Sequence, residues 1–187
     1  ALALLLREAM EVPERRAALV TPDRGLAARV IAHLRRWGID ADDTAGVPLP
    51  QTAAGRLLLL LAEVIASQAA PAPLLALLGH PLVGSGEGRA DWLDQVRVLD
   101  LALRGPRPGA GLEPLTLRVA EKARHHRGLA EWWQGVADLL APLLALPGDG
   151  LLADALDALA AAAAALSHGA VWAGADGRAA AGFIEEL

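Results

Sequence analysis

Residues 16–42 read RAALVTPDRGLAARVIAHLRRWGIDAD, and this stretch decides the fold that the sequence predicts. Residues 17–20 form a short apolar run, which is typical of a buried parallel strand. Residues 24–37 then show apolar side chains three and four positions apart, the spacing of one helix face. Residues 39–42 are a candidate second strand. A strand–helix–strand unit of this length predicts a right-handed parallel crossover.

Residues at both ends of this helix support the same interpretation. Thr21 and Pro22 indicate a helix start, because threonine can cap a helix and proline suits its first position. Asp23 follows in the first turn, where the helix dipole favours a negative charge. Gly38 is expected to end the helix, since glycine accepts the left-handed conformation that is common there.

The rest of the chain predicts helices separated by loops. We expect helices over residues 2–10, 54–66, 74–78, 91–104, 115–126, 129–146 and 151–166, with a short one toward the C-terminus. Glycine and proline residues interrupt them at 84–88 and 105–111. The fold class we expect is therefore α/β and predominantly helical, with a small parallel sheet in residues 1–80 and a helical subdomain in residues 81–187.

Composition and charge limit the classes of function. The chain has 187 residues, a net charge of -5 and no cysteine, so it offers no disulfide, thiolate metal site or cysteine nucleophile. An acidic chain is a poor candidate for a free-standing nucleic-acid binder. The charge is uneven, however: residues 1–36 and 89–127 each sum to +3, whereas residues 128–187 sum to -7. We expect any polyanion to meet one of the two basic segments.

Three other motifs are interpreted as structural. Residues 84–88 contain three glycines but lack the Gly-Lys-Ser/Thr ending of a phosphate loop, so we expect a linker. The run at 125–127, His-His-Arg, is expected to be a solvated helix end, because adjacent helical histidines point in different directions. Of Trp132 and Trp133, we expect one in the core and the other at an edge or interface. No apolar run reaches the roughly 18 residues of a membrane span, and we expect a cytoplasmic protein.

The opening stretch resembles a known family. The resemblance is carried by residues 18–24, 26–27, 29–30, 34, 36–39, 42–43, 45–46, 48–49, 52, 55–56, 58, 60–61 and 63. Their order is similar to the second RecA-like domain of superfamily 1 helicases, and most similar to AddB subunits of the bacterial AddAB helicase–nuclease. The similarity covers about residues 7–66, and residues 73–82 are also similar. It implies a RecA-like fold for residues 1–80.

The resemblance also directs attention to four candidate nucleic-acid-binding residues: Thr21, Arg24, Thr44 and Arg56. Thr21 and Arg24 follow the first predicted strand, at the sheet edge where open α/β proteins bind ligands. The simpler alternative is a helix cap and surface charges. Active relatives usually carry an aromatic–arginine pair where this chain has Thr21 and Pro22. That departure fits AddB-like subunits, whose helicase domains are degenerate.

We expect the chain to be an internal piece of an AddB-like subunit. The resemblance implies a parent protein that processes broken DNA ends with an AddA-type partner and uses ATP, magnesium and an iron–sulfur cluster. We expect none of these cofactors, and no catalytic or metal-binding residue, in this chain. Two alternatives stay open: a fragment of an active superfamily 1 helicase motor, and a helical protein–protein interaction module. An exposed leucine and tryptophan face on the later helices would favour the second alternative.

Overall fold

The structure is a computed structural model that describes residues 1–124, 126 and 128–187. Throughout this described part of the chain, all regular elements are helices and no residue belongs to a strand. The helices are α1 (Leu2–Met10), α2 (Arg24–Arg35), α3 (Ala53–Ala66), α4 (Pro71–Leu78), α5 (Arg89–Leu103), α6 (Leu112–Ala123), α7 (Leu129–Leu144), α8 (Leu152–Ser167) and α9 (Gly174–Glu185). Two short 3-10 turns lie at Leu49–Gln51 and Ala170–Trp172.

The predicted parallel sheet is wrong, and with it the α/β fold class. Residues 17–20 and 39–42 run without turn or bend, but the two segments form no backbone hydrogen bond with each other. Among the described residues, the one backbone bond that either segment makes joins the Ile39 N–H to the Leu34 carbonyl at the end of α2. Val20 is 94% exposed, whereas a strand of a parallel sheet is covered on both faces. Two four-residue segments with no third strand beside them lack the neighbours that a stable sheet requires.

The chain divides into two compact units, Ala1–Gly46 and Val47–Leu187. The division that the sequence suggested at residue 80 falls inside the second unit, just after α4. Of the residues in the predicted His-His-Arg run, His125 and Arg127 lie outside the described residues. None of the described helices is long and apolar enough to cross a membrane.

The first unit is built on a small apolar cluster between α1 and α2. Ala3, Val30 and Leu34 are buried, and side chains from the connecting segments pack around them. These partly buried residues are Leu6, Leu19, Leu26, Ile39 and Ala41. The helix cap is Asp23 rather than Thr21, because the Asp23 carboxylate accepts a hydrogen bond from the Leu26 N–H at 2.9 Å. Gly38 follows α2 with φ +71°, as its position in the sequence predicted.

The second unit has one continuous core around α3. The buried face of α3 carries Leu57, Leu61 and Val64, each fully buried. This helix packs against α4, α8 and α9. The remaining helices pack in sequence order, α5 against α6, α6 against α7 and α7 against α8. The core therefore extends over all seven helices of the unit.

The start of α3 is packed unusually tightly against the preceding 3-10 turn. Thr52 is buried; its hydroxyl accepts a hydrogen bond from the Gly55 N–H at 3.1 Å and donates one to the Leu49 carbonyl at 2.8 Å. A Cβ atom on Gly55 would lie 1.9 Å from the same carbonyl oxygen. Only glycine fits at this position of α3 without movement of the neighbouring backbone.

Candidate nucleic-acid interface

Arg24, one of the four predicted site residues, is held in an ion pair at the start of α2. Its two terminal nitrogens contact the two carboxylate oxygens of Asp43 at 3.0 and 2.8 Å. One of them also donates to the Gly46 carbonyl at 3.1 Å. The hydrogen bond from Arg24 lowers the pKa of Asp43, and the same bond raises the pKa of Arg24. This bidentate geometry fixes the guanidinium and neutralises much of its charge locally.

The loop after residue 42 contains the carboxylate of this ion pair. Asp43 also accepts a hydrogen bond from the Ala45 N–H at 3.2 Å, which closes a turn of the kind that aspartate favours. Thr44 lies in that turn, next to the paired carboxylate. Just before α2, the Thr21 hydroxyl accepts a hydrogen bond from the Asp23 N–H at 3.1 Å. Both threonines thus lie beside the residues that fix the N-terminus of α2.

Arg56, the fourth predicted residue, belongs to the second unit and lies in the first turn of α3. Its side chain is exposed. The charges of Arg56 and Arg89 reinforce the main effect on His80, whose pKa is lowered chiefly by burial. Thr21, Arg24 and Thr44 are therefore one set in the first unit, and Arg56 is a separate position in the second. Their predicted contact with DNA stays a prediction.

A second basic feature lies along the exposed face of α2. Arg29, His33 and Arg36 are spaced four and three residues apart, so they follow one line on the helix surface. We call these three residues the basic stripe. All three side chains are exposed, and within the described part of the chain none forms an ion pair. The stripe was not singled out from the sequence, although its spacing is visible there.

An aromatic contact extends the basic stripe toward α1. The ring of His33 lies 6.4 Å from the ring of Trp37, measured between centroids. The Arg7 guanidinium lies over the same tryptophan, 5.2 Å from its centroid, which is a cation–π contact. Trp37 is partly exposed, so one face of this unit presents arginine and aromatic side chains together.

The later helices carry an aromatic groove. The rings of Trp92 and Trp132 meet edge to face with centroids 5.1 Å apart. Together with Gly135, Val136 and Leu139 they line a depression of about 440 Å³. The neighbouring Trp133 is 1% exposed and donates to the Thr116 hydroxyl at 2.9 Å. One tryptophan of the pair is thus in the core and the other at an edge, as expected.

The glycine-containing turn between α4 and α5 is held by side chains from α5. Arg89 donates to the carbonyl groups of Gly79 and His80 at 3.0 and 3.1 Å, and also to that of Val83. The Trp92 indole donates to the Leu78 carbonyl at 2.8 Å. The donors to Leu78 and Gly79 satisfy carbonyl groups that the end of α4 leaves without helical partners, whereas the His80 carbonyl also accepts a hydrogen bond from the Val83 N–H. The turn therefore has a structural role, and its glycines form a loop as predicted.

Comparisons with known proteins add no relative to this description. Comparison of the chain with protein-family models, with curated proteins and with solved structures gave no match. The described residues contain no group of three or more histidine, aspartate or glutamate side chains placed to hold a metal ion. The AddB resemblance thus rests on the sequence motifs alone.

Proposed function

We propose that the chain is a non-catalytic part of an AddB-like subunit, which contacts DNA while a complex with an AddA-type partner processes broken DNA ends. The motif order in residues 18–56 supports the family assignment in this proposal. The basic stripe is the structural observation that carries the DNA contact. Catalysis, with ATP, magnesium and an iron–sulfur cluster, belongs in this proposal to other parts of the parent complex.

The chemistry of the basic stripe suits a phosphate backbone. Arg29 and Arg36 each present a planar guanidinium with several N–H donors, a geometry that matches phosphate oxygens. Their charges are not engaged by a carboxylate among the described residues, unlike the charge of Arg24. Contacts of this kind supply affinity without reading base sequence. Binding is therefore expected to be weak, independent of sequence and strongly dependent on salt.

The proposal is tested by removing charge from the stripe. We expect the double variant Arg29→Gln and Arg36→Gln to bind a fluorescent single-stranded oligonucleotide more weakly than the wild type. The slope of log affinity against log salt, which is negative, should become shallower by about 1.4, because each lost single-strand contact contributes roughly 0.7 to its steepness. Fluorescence anisotropy over a series of salt concentrations measures both quantities.

A matched control separates the stripe from net charge. Arg97→Gln with Arg104→Gln removes the same charge from α5, where both arginines pair with aspartates of their own helix. This control should leave the salt slope close to that of the wild type. If both double variants change the slope equally, the stripe is not a binding site. A third double variant, Arg24→Gln with Arg56→Gln, tests in the same titration the two arginines that were predicted from the sequence.

The aromatic groove favours a second candidate function, that of a helical protein-interaction module. The partly exposed rings of Trp92 and Trp132 and the exposed Leu139 line this groove, and the sequence analysis gave an exposed leucine and tryptophan face as evidence for this function. Tryptophan is enriched where proteins bind one another, because its ring contributes a large apolar area. Absence of any salt-dependent DNA binding by the wild-type chain, measured in the same titration, would favour this function over the first.

A further inference from the structure

The first unit contains a groove of about 600 Å³ whose two walls are the unbent segments 17–20 and 39–42. Its floor is apolar and includes Ala27 and Ile31 of α2, together with Leu6 of α1, all three partly exposed. The groove lies entirely within residues 6–44. It therefore belongs to one compact unit and does not include the basic stripe.

The backbone along this groove has hydrogen-bonding groups without protein partners. Across the described part of the chain, no backbone hydrogen bond involves residues 16–20 or 40–42. Ile39 and Ala41 pack on the α2 cluster while Asp40 and Asp42 are exposed, which is the two-residue alternation of a strand. Main-chain groups in this arrangement are a template for another extended chain.

Side chains at the groove carry charges of both signs. Arg15 and Arg16 precede the first wall, and Asp40 and Asp42 lie in the second. None of the four forms an ion pair in the part of the chain that the structure describes. A chain that occupies the groove would find a basic pair and an acidic pair on its lining, above an apolar floor.

We propose that this groove binds an extended peptide segment of a partner protein by β-strand addition to residues 17–20. The segment has apolar side chains at alternate positions, which face the floor formed by Ala27 and Ile31. It also has an acidic residue that meets Arg15 and Arg16 and a basic residue that meets Asp40 and Asp42. Main-chain hydrogen bonds supply affinity in this mode of binding, and the side chains supply specificity. The inference does not depend on the proposed contact with DNA.

The test fuses a peptide with these properties to the chain. The peptide Glu-Val-Thr-Val-Thr-Lys, fused ahead of Ala1 through a flexible Gly/Ser linker, reaches the groove at an effective concentration in the millimolar range. Hydrogen exchange of individual amides is then measured by NMR in fused and unfused protein. We expect amides of residues 17–20 that bond the segment to exchange at least about fivefold more slowly in the fusion, the effect of one typical hydrogen bond. Amides of α2 serve as an internal measure that the unit is folded.

Two proline variants of the fused protein form a matched pair. Successive N–H groups of an extended chain point to opposite sides, so only one of Ala17 and Ala18 can donate to the added segment. Both side chains are exposed, and proline removes the N–H at each position. One of Ala17→Pro and Ala18→Pro should abolish the protection of the neighbouring amides, and the other should retain it.

Three results would overturn the proposal. The first is unchanged exchange at residues 17–20 in the fusion, and the second is an equal effect of the two proline variants. The third is protection that rises with the concentration of unfused chain, which would assign the groove to a second copy of this protein. Replacement of the second valine of the fused peptide by proline should also remove the protection, and retained protection there counts against strand addition.

Discussion

Replacement of Gly55 by alanine tests the tight packing at the start of α3. In an open helical position alanine is better than glycine by about 1 kcal/mol. At Gly55, however, the new Cβ would lie 1.9 Å from the Leu49 carbonyl oxygen and 2.6 Å from its carbon. Ordinary contact begins at 3.4 Å, so the oxygen must retreat by about 1.5 Å, the difference between 3.4 and 1.9.

The magnitude follows from what that movement disturbs. The Leu49 carbonyl accepts hydrogen bonds from both the backbone N–H and the hydroxyl of Thr52, at 3.0 and 2.8 Å. Loss of two typical hydrogen bonds costs about 2 kcal/mol, and overpacking adds about 1–3 kcal/mol. After subtraction of the gain of about 1 kcal/mol in helix propensity, we expect Gly55→Ala to destabilise the second unit by about 2–4 kcal/mol.

Urea denaturation followed by tryptophan fluorescence measures this change, because four of the five tryptophans lie in the second unit. The midpoint should fall by about 1–2 M urea at a typical dependence on denaturant. Gly182→Ala is the matched control: it lies in α9 with no atom within 4 Å of the new Cβ, and it should stabilise the unit by about 0.5–1 kcal/mol. A Gly55→Ala variant as stable as the wild type would refute the close approach of Leu49.

Two further predictions concern pH. The pKa of Asp43 is lowered by Arg24, so its contribution to the stability of the first unit is present above the unfolded value of about 4 and is lost as the pH falls through the lower folded value. The protection factors of the α2 amides, which are corrected for the intrinsic pH dependence of exchange, should therefore fall in acid more in the wild type than in Asp43→Asn, and an equal fall would contradict a role for the pair. The pKa of His80 is lowered mainly by burial, so protonation favours the unfolded chain and the second unit should lose stability as the pH falls below about 6.5. His80→Gln should reduce this loss in urea titrations at pH 7.5 and 5.5, and an undiminished loss would assign it to other groups.

The helices were predictable because long apolar spacing patterns specify them strongly. The segment 2–10 has the bounds of α1, and residues 129–146 contain α7. Their ends depend on finer chemistry. The sequence predicted this helix only over residues 74–78, yet Pro71 and Pro73 both lie in the first turn of α4, where the missing N–H groups would have no helical partner. Likewise both Thr21 and Asp23 can cap α2, and only the structure shows which side chain reaches the Leu26 N–H.

The absence of a sheet and the ion pair at the candidate site could not be predicted from the sequence, for a different reason. A four-residue apolar run does not reveal whether another strand lies beside it, and residues 17–20 have none in the described chain. The carboxylate that engages Arg24 stands 19 residues later, at a separation that no local pattern predicts. The basic stripe could have been found, because Arg29, His33 and Arg36 follow helical spacing in the sequence itself.

The turn after α4 has a consequence for the order in which the second unit folds. Its carbonyl acceptors at Leu78, Gly79, His80 and Val83 are bonded by Arg89 and Trp92, which both lie in the first turn of α5. The end of α4 is therefore capped only when the beginning of α5 is already helical and in place. Opening of the first turn of α5 should therefore also release the end of α4.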